Sequence, residues 1–434
     1  MKVIWFSLSP CGSIKRNGGQ RVIQGWMISL EDEIKKNPGV ELNVAFFSDV
    51  KEHPFDYDGV RYYPMYSSMS KNKVGRVIER LKSKEEKDKQ MLSLMLDVVK
   101  DVKPDIIHIH GTEERFGLIQ EYIKDTPIVF SIQGLIAPYS EKYFSGLPQA
   151  FAYKNDPIYD VVRNVGIKRA YQDFLYKAER EKGYLQKANY VFGRTLWDKD
   201  VTGLFNPNRK YYVVDEIMRK QFYNTLWQQN HYNKRLKIVS TISGGIYKGY
   251  ETVLKSAKLL KDYADFEFEW HIAGYDMKSK WVHLAENLTG IKASTCNIVL
   301  HGRIDADELS SLLTESDIYV HVSHIENSPN SVCEAMLIGM PVIASFAGGT
   351  SSMLENEKEG ILVQDGDPYM FAGAIIDYYM DFNKAKTYGE NARRRAMERH
   401  NPERIANQLV AAYNAILNDF DTRSSNNSKF IHTS

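Results

Sequence analysis

The sequence predicts an α/β protein of two domains, each with a parallel β-sheet covered by helices. Three observations favour this fold class. The chain has 434 residues, enough for two domains with separate cores. Short β-branched segments alternate with glycine-containing loops and helical patterns, which is typical of parallel sheets. A fresh series of the same kind begins at Leu236.

The first series opens with a predicted strand at Val3–Leu8. The glycine pair Gly18–Gly19 follows, and then a predicted helix over residues 20–36. Two further strands are predicted at Ile106–Ile109 and Ile128–Ile132. Both are rich in β-branched residues and both are followed by glycine, which indicates a loop at their carboxyl ends.

The second series is separated from the first by a turn at Asn206–Asn208 and a predicted strand at Tyr211–Ile217 that crosses between the halves. The series itself consists of a strand at Leu236–Ser240, a glycine loop, a helix at Tyr250–Leu260 and a strand at Phe268–Ala273. This restart predicts a domain boundary within residues 210–235.

The predicted organisation therefore has four parts. Residues 1–212 form the first domain and residues 213–402 the second. A last helix over residues 403–420 is expected to return to the first domain, and residues 422–434 form a frayed polar tail.

Composition narrows the class of protein. The net charge of +1 gives no reason to expect nucleic acid as a partner. The three cysteines, Cys11, Cys296 and Cys333, are isolated, which argues against disulfides and a zinc site and favours the cytoplasm. The apolar run at the start is too short for a signal peptide, and no run of about 18 apolar residues predicts a membrane span.

Two basic stretches offer a surface for another partner. Lys71–Lys89 carries eight basic residues against four acids, and Arg163–Lys187 carries seven against three. Aromatic residues alternate with charges over Tyr143–Tyr184. A solvated helix face is one interpretation. The other is a peripheral contact with anionic lipid or a lipid-linked acceptor at the inner face of the membrane.

The most informative segment runs from the predicted strand Ile318–Val322 to the predicted strand Val342–Ala344. A loop of small polar residues precedes a helix in which Glu334 lies one turn from the start. Such a helix N-terminus has free N–H groups that can bind a diphosphate. A carboxylate one turn further on can accept hydrogen bonds from the two hydroxyls of a ribose.

Glu326 and Glu334 also raise the possibility of a glycosidase pair. Eight residues on a continuous helix span about 12 Å, which exceeds the roughly 5–9.5 Å of hydrolytic pairs. Pro329 also interrupts any such helix. The two acids therefore fit better as groups that grip different parts of one ligand. For Glu334 the helix dipole alone remains a second explanation.

The spacing of these two acids resembles the E-x7-E motif of retaining glycosyltransferase family 4. The similarity continues through most of the second half and reaches scattered landmarks in the first. The matching segments are Glu326–Ala344, Gly348-Gly349, Gly360–Val363, Asp367-Pro368, Tyr247-Lys248-Gly249, His301-Gly302-Arg303 and Pro104–Gly111.

The resemblance implies a GT-B fold, in which two Rossmann-like domains face each other across a cleft. It also implies the roles of residues in the second domain. Glu326 would contact the donor sugar, Glu334 the ribose and Lys248 the phosphates. The backbone of Asn330, Ser331 and Val332 would lie near the sugar and diphosphate, and main-chain groups at Arg303 near the base.

In the first domain the resemblance implies that His110 approaches the donor sugar. His108 lies on the same face of the strand, where a buried structural role is as good an explanation. Gly18 and Gly19 would let a loop pass close to phosphate or acceptor, although a plain tight turn explains them equally well.

One departure from the family concerns the phosphate site. Members carry Gly-Arg shortly before Lys-Gly, whereas Thr241–Lys248 contains no arginine. Either the backbone at Gly244 and Gly245 binds phosphate directly, or Arg194 or Arg219 supplies the second cation.

The implied reaction is transfer from a nucleotide sugar, UDP-linked or GDP-linked, to a glycan or lipid-linked acceptor with retention of configuration. No metal and no cofactor are expected, and family habit suggests bacterial surface polysaccharide as the product. Two alternatives remain: a GT-B epimerase or phosphorylase, and a non-catalytic nucleotide-sugar-binding protein.

Overall fold

The computed structural model describes residues 1–17, 25–66, 83–232 and 234–431, with the backbone alone for residues 424–431. Gly18, Gly19 and most of the basic stretch Lys71–Lys89 lie outside the described residues. Of the predicted helix over 20–36, the structure describes a helix at Gly25–Ile34.

The first sheet has eight strands in the order β3-β4-β2-β1-β5-β6-β7-β8. Its strands are β1 (Lys2–Ser7), β2 (Glu41–Ser48), β3 (Phe55–Tyr57), β4 (Val60–Tyr66), β5 (Ile106–His110), β6 (Ile128–Ser131), β7 (Tyr190–Gly193) and β8 (Lys210–Val213). All neighbours pair in parallel except β3 and β4, which form an antiparallel hairpin at one edge. The central strand β1 is buried after its first residue, as expected for a parallel strand covered on both faces.

The second sheet has six strands in the order β11-β10-β9-β12-β13-β14, all parallel. Its strands are β9 (Leu236–Thr241), β10 (Phe268–Ala273), β11 (Ile298–Gly302), β12 (Ile318–His321), β13 (Val342–Phe346) and β14 (Ile361–Gln364). The chain order reverses between β9 and β12. Ligands bind at such a switch point in open parallel sheets, beyond the carboxyl ends of the strands.

Helices cover both sheets. Those of the first half are Gly25–Ile34, Lys84–Val102, Ile136–Glu141, Gln149–Lys154, Ile158–Val162, Ile167–Lys187, Leu196–Phe205 and Lys220–Asn224. Those of the second half are Tyr250–Tyr263, Lys280–Thr289, Ala306–Glu315, Asn330–Ile338, Pro368–Met380, Phe382–Arg399 and Pro402–Ile431. Short 3₁₀ turns lie at Cys11–Asn17, Arg115–Glu121, Ile246–Lys248, Ala293–Thr295 and Thr350–Ser352.

The predicted strand Tyr211–Ile217 is corrected by the structure. Strand β8 ends at Val213 and is the outer strand of the first sheet. Beyond it, Asp215 and Glu216 direct their carboxylates to Arg399 and Arg194, at 2.5 and 2.7 Å. The chain passes from one core to the other here, since Ile217 packs in the first core and Met218 in the second.

The last helix packs on the first sheet. Ile405, Leu409 and Tyr413 are fully buried in the same core as Trp5, whose indole Nε1 donates to the Tyr413 hydroxyl at 3.0 Å. The expected frayed tail differs from the structure, because the helix backbone continues to Ile431. Residues 422–431 contain neither glycine nor proline, so no residue there breaks the helix.

Two sequence expectations concern cysteines and the membrane. All three cysteines are buried and unpaired. Within the described parts of the chain, no helix is both long enough and apolar enough to cross a bilayer.

Candidate functional site

The two motif glutamates lie on a loop and a helix that follow β12. The helix begins at Asn330 after Pro329, whose carbonyl accepts hydrogen bonds from the N–H groups of Val332 and Cys333 at 3.0 and 3.2 Å. The N–H of Val332 is therefore already used within the chain. The N–H groups of Asn330 and Ser331 have no acceptor in the described part of the chain. These two groups are available to an anion.

Glu326 lies on the loop and is almost enclosed. Its carboxylate contacts the Lys248 ammonium, accepts a hydrogen bond from Ser323 Oγ at 3.1 Å and lies 3.8 Å from His321 Nε2. Burial by itself raises the pKa of the Glu326 carboxyl, but Lys248 and His321 outweigh burial and bring the pKa to about 2. The carboxylate is therefore ionised at neutral pH.

Lys248 is placed by a turn that only glycine can complete. It ends the 3₁₀ turn Ile246–Lys248, and Gly249 follows with a φ of 78°. A Cβ at Gly249 would lie 2.1 Å from the Val322 carbonyl oxygen. The Tyr247 carbonyl also accepts a hydrogen bond from the His324 N–H at 2.9 Å. These contacts lock the lysine loop against the glutamate loop.

Glu334 is buried and held by Arg219. Its Oε1 accepts a hydrogen bond from Arg219 Nε at 2.8 Å and lies 2.8 Å from Arg219 Nη2 in an ion pair. Burial raises the pKa of the Glu334 carboxyl, and the guanidinium acts against that rise. Of the two arginines considered for the phosphate site, Arg219 thus lies on the motif and its side chain keeps 28% of its surface exposed.

Arg194, the other candidate, has different partners. Its side chain is 7% exposed, binds the buried Glu216 at 2.7 Å and stacks over Trp26 at 4.6 Å. Its charge is thus committed to the crossing between the domains.

Tyr275 connects the loop that contains Gly244 and Gly245 to the segment just before Arg303. The Tyr275 hydroxyl donates to the Gly244 carbonyl at 2.8 Å, and the Tyr275 carbonyl accepts from the Gly302 N–H at 2.8 Å. Gly244 has a φ of 99°, and no atom lies within 4 Å of where its Cβ would be. The space beside Gly244 is therefore open. A Cβ at Gly245 would instead lie 2.9 Å from the Tyr247 ring. Arg303 is exposed just beyond β11.

His110 ends β5 and is packed inside the first domain. Its ring lies 3.8 Å from the His108 ring and 4.8 Å from Trp5. Neither ring nitrogen has a hydrogen-bond partner among the described residues. Burial, with the nearby His108 and Arg194, lowers the pKa of His110 well below its usual value, so the ring is neutral.

His108 has a structural environment. Its ring nitrogens lie 2.6 Å from the Tyr413 hydroxyl and 2.6 Å from Ser131 Oγ. Both nitrogens are thus used within the first domain, which fits the structural explanation given for this residue.

Sequence reasoning missed Asn327, which joins the two domains beside Glu326. Its Oδ1 accepts from Thr195 Oγ1 at 2.7 Å, and its Nδ2 donates to Asp198 Oδ2 at 3.0 Å and to the Gln133 carbonyl at 3.3 Å. The residue follows Glu326 directly in the motif, which was the one signal available.

Glu113 and Tyr139 were missed as well. Tyr139 of the first domain lies edge-on to Tyr247, with 5.7 Å between ring centroids. Glu113 follows Gly111 in the loop after β5, and burial raises the pKa of its carboxyl to about 7. An acid two residues after a glycine at a strand end is a weak signal, but it was present in the sequence.

Metal ligands form no cluster in the part of the chain that the structure describes: no three His, Cys, Asp or Glu side chains there are placed to hold an ion.

A family model described as glycosyl transferases group 1 matches residues 223–395. The chain is 26% identical over 246 residues to an uncharacterized glycosyltransferase of Methanocaldococcus jannaschii, covering 53% of this chain and 56% of the relative. It is 24% identical over 188 residues to the amylovoran biosynthesis glycosyltransferase of Erwinia amylovora, covering 42% and 45%. The chain thus spans about half the length of these two relatives.

Two solved structures resemble the whole fold. Sucrose-phosphate synthase from Thermosynechococcus elongatus superimposes with a TM-score of 0.69 at 16% identity, covering 96% of this chain and 100% of the other. HepE of Anabaena, solved with UDP and glucose, gives a TM-score of 0.62 at 16% identity, with the same 96% and 100% coverage. With the two parallel sheets, these likenesses confirm the expected GT-B fold of two Rossmann-like domains.

Proposed function

We propose that this protein moves a hexose-type sugar from a nucleotide sugar to an acceptor hydroxyl, a proposal that the match of residues 223–395 to the glycosyl transferases group 1 supports. The observation that carries the proposal is the meeting of Lys248 and Glu326 next to the helix that begins at Asn330. A cation, an ionised carboxylate and free backbone N–H groups together suit a sugar diphosphate.

The donor would exchange these contacts for its own. Lys248 moves from Glu326 to the diphosphate, and the freed carboxylate accepts hydrogen bonds from the sugar hydroxyls. The N–H groups of Asn330 and Ser331 bind the same diphosphate. Because Glu334 lies one turn further along the helix, it receives the ribose.

Three further groups complete the donor site in this proposal. Arg219 supplies the second cation, and its pairing with Glu334 and partial exposure support it over Arg194. The open space at Gly244, next to Gly245, leaves the loop backbone accessible to phosphate. Main-chain groups at Arg303 meet the base.

The proposed reaction retains the anomeric configuration. The bond between the anomeric carbon and the diphosphate oxygen breaks, and Lys248 with the helix N-terminus stabilises the charge that develops on the diphosphate. The acceptor oxygen bonds to the anomeric carbon from the same face, and its proton passes to the departing diphosphate. His110 approaches the sugar from the first domain. No cofactor or metal ion takes part.

The donor and acceptor are proposed by class. A UDP-sugar is favoured because the Anabaena structure is described with UDP and glucose, and a GDP-sugar is the alternative. The Erwinia relative is named for amylovoran biosynthesis, which supports a glycan or lipid-linked acceptor in bacterial polysaccharide formation. The protein would act in the cytoplasm, at the inner face of the membrane.

The test begins with a screen of nucleotide sugars by thermal shift, since a ligand of the folded state raises the midpoint. With the donor found, Glu326→Ala should abolish most turnover, and Glu334→Ala should mainly weaken nucleotide binding. Lys248→Ala should lose on the order of 10²-fold in rate. Wild-type rates in all three variants would remove the site from this loop.

The same assay separates the alternatives. Product NMR should show the donor's anomeric configuration, and turnover should persist in excess EDTA. An inverted product or strict metal dependence contradicts the mechanism. Interconversion of the donor without an acceptor would indicate an epimerase. Formation of a sugar phosphate from inorganic phosphate would indicate a phosphorylase, and donor binding without turnover would indicate a non-catalytic protein.

A further inference from the structure

A short helix of the first domain exposes a row of apolar side chains. It spans Ile158–Val162 and has no buried residue. Ile158 is 76% exposed, Tyr159 64%, Val161 50% and Val162 77%, and Val165 just beyond the helix is 50% exposed. Single exposed apolar residues are ordinary on protein surfaces, but five within eight positions form a patch of the kind that marks an interaction site.

The patch is held in an ordered loop. Asp156 Oδ2 accepts a hydrogen bond from the Ile167 N–H at 2.5 Å, which closes the loop at its base. The Val165 N–H donates to the Asp160 carbonyl at 2.9 Å. Asp160 Oδ2 also binds Lys280 Nζ of the second domain at 3.0 Å. The apolar side chains are therefore presented by a closed loop that contacts both domains.

Several exposed basic side chains lie near the patch. Lys154, Arg163 and Lys168 are exposed and have no ion pair among the described residues. The nearby carboxylates of Asp156 and Asp160 are half-buried and already bonded within the protein. An apolar tip with exposed basic side chains nearby is complementary to an anionic lipid surface, in which aliphatic and tyrosine side chains enter the interface and basic groups meet the headgroups.

We propose that residues 158–165 dock this protein on an anionic membrane by inserting Ile158, Val161 and Val162 into the headgroup region. The helix Ile167–Lys187 that follows carries Tyr171, whose ring lies 4.9 Å from Tyr143, and Tyr143 lies 6.2 Å from Tyr247 beside Lys248. These three aromatic rings thus lead from the helix that follows the loop to the candidate site. A lipid-linked acceptor would reach the cleft along this side, and only that last step rests on the proposed function.

The experiment measures co-sedimentation of the full chain with vesicles of phosphatidylcholine alone and of phosphatidylcholine mixed with phosphatidylglycerol. Wild-type protein should bind the mixed vesicles more tightly and release them as salt rises. The double variant Ile158→Asn with Val162→Asn should bind them at least about tenfold more weakly, because it removes two aliphatic insertions. Leu204→Asn is the control, since Leu204 is 79% exposed and lies outside the patch.

A second readout reports insertion directly. The variant Tyr159→Trp adds a tryptophan to the patch. When mixed vesicles are added, the tryptophan fluorescence of this variant should shift to shorter wavelength relative to that of the unsubstituted protein. The proposal is overturned if the double variant binds vesicles like wild type. It is also overturned if wild type dimerises without lipid and the double variant does not, because a second copy is then the occupant.

The vesicle result is separable from the proposed chemistry. The double variant should keep wild-type turnover with a water-soluble acceptor, since its substitutions lie on the exposed loop. Loss of turnover with retained vesicle binding, as expected for Glu326→Ala, would leave membrane docking intact.

Discussion

Glu326 and Lys248 form an ion pair in this structure, and Glu334 and Arg219 form another. Each pair joins a motif carboxylate to a cation from another part of the chain. A buried charge without a partner is costly, so Lys248 helps to keep the Glu326 carboxylate ionised, and Arg219 acts against the rise in pKa that burial causes at Glu334. In the proposed complex, the donor's diphosphate would replace Glu326 as the partner of Lys248, and the sugar hydroxyls would hydrogen-bond the freed carboxylate.

Arg219 and Arg194 should differ when each is changed to alanine. If Arg219 contributes to the diphosphate, Arg219→Ala should weaken UDP binding roughly tenfold more than uridine binding, because the lost contact is to phosphate. Arg194→Ala should instead lower stability by about 3–5 kcal/mol, since it leaves Glu216 buried without its partner. Calorimetry with UDP and uridine, combined with urea unfolding, measures both effects. Equal weakening of the two ligands by Arg219→Ala would exclude a phosphate contact.

Glu181 makes the stability of the folded protein depend on pH. Its carboxylate accepts hydrogen bonds from the Ala137 N–H at 2.7 Å and from Thr112 Oγ1, and burial raises the pKa of the carboxyl to about 7. An unfolded glutamate has a pKa of about 4.3. The stability that comes from the neutral side chain is therefore present below about pH 4.3 and is lost as the pH rises through about 7.

Glu181→Gln should flatten that dependence. Between about pH 5 and pH 8 the free energy of unfolding of wild type should fall by up to about 3 kcal/mol more than that of the variant. Urea unfolding across this range measures the difference. Glu179→Gln, an exposed change on the same helix, is the control. Parallel pH profiles for wild type and Glu181→Gln would show that the group does not titrate on unfolding.

At the scale of elements, the site depends on how two loops meet. The turn at Ile246–Lys248 and the loop after β12 approach so closely that the Gly249 position has no room for a Cβ. The last residue of that turn is the cation, and the loop after β12 carries the carboxylate. Close backbone packing therefore sets the distance between the two charges.

Gly249→Ala should move the Lys248 ammonium away from the Glu326 carboxylate. The added methyl group meets the Val322 carbonyl at a backbone conformation that alanine disfavours, so stability should fall by roughly 2–4 kcal/mol and turnover should fall further. Gly290→Ala is the matched control, because Gly290 has a φ of 70° but no atom within 4 Å of its Cβ position. It should cost about 1 kcal/mol and leave turnover unchanged. Equal effects of both changes on stability and turnover would contradict a positioning role for the turn.

At the scale of the molecule, the last helix of the structure packs against the first domain. The last helix places Ile405, Leu409 and Tyr413 in the core around Trp5, so the first core includes residues that follow the second domain in the chain. Asp215 and Arg399 meet at the same crossing, at 2.5 Å. The two domains are therefore joined by two chain segments and a buried ion pair.

Removal of the last helix should unfold the first domain. A chain that ends after residue 401 loses several buried side chains worth about 1.5–3 kcal/mol each, which together rival the about 5–15 kcal/mol stability of a domain. A chain that ends after residue 423 keeps all of them and serves as the control. Near-ultraviolet circular dichroism and thermal unfolding should show loss of tertiary structure in the chain that ends after residue 401 and not in the chain that ends after residue 423. A wild-type unfolding curve for the chain that ends after residue 401 would contradict the role of the helix.

The sequence by itself determined the elements and the fold class. Alternation of short apolar segments with helical patterns depends on which face of each element is buried, and that information is local. Residues Glu326 and Glu334 belong to one loop and helix, so their spacing was also readable from the chain. The predictions were wrong at Val214–Ile217 and in the tail, where charged partners elsewhere and an unbroken helix decided the outcome.

Only the tertiary structure decided which charges meet. Lys248 was expected to face phosphate, but that it binds Glu326 could not be read from two positions far apart in the chain. The same holds for Arg219 with Glu334 and for Asn327 between the domains. Sequence pattern specifies burial, whereas a side chain's partner depends on how separate elements pack in space. For that reason the motif was predictable and its electrostatic pairing was not.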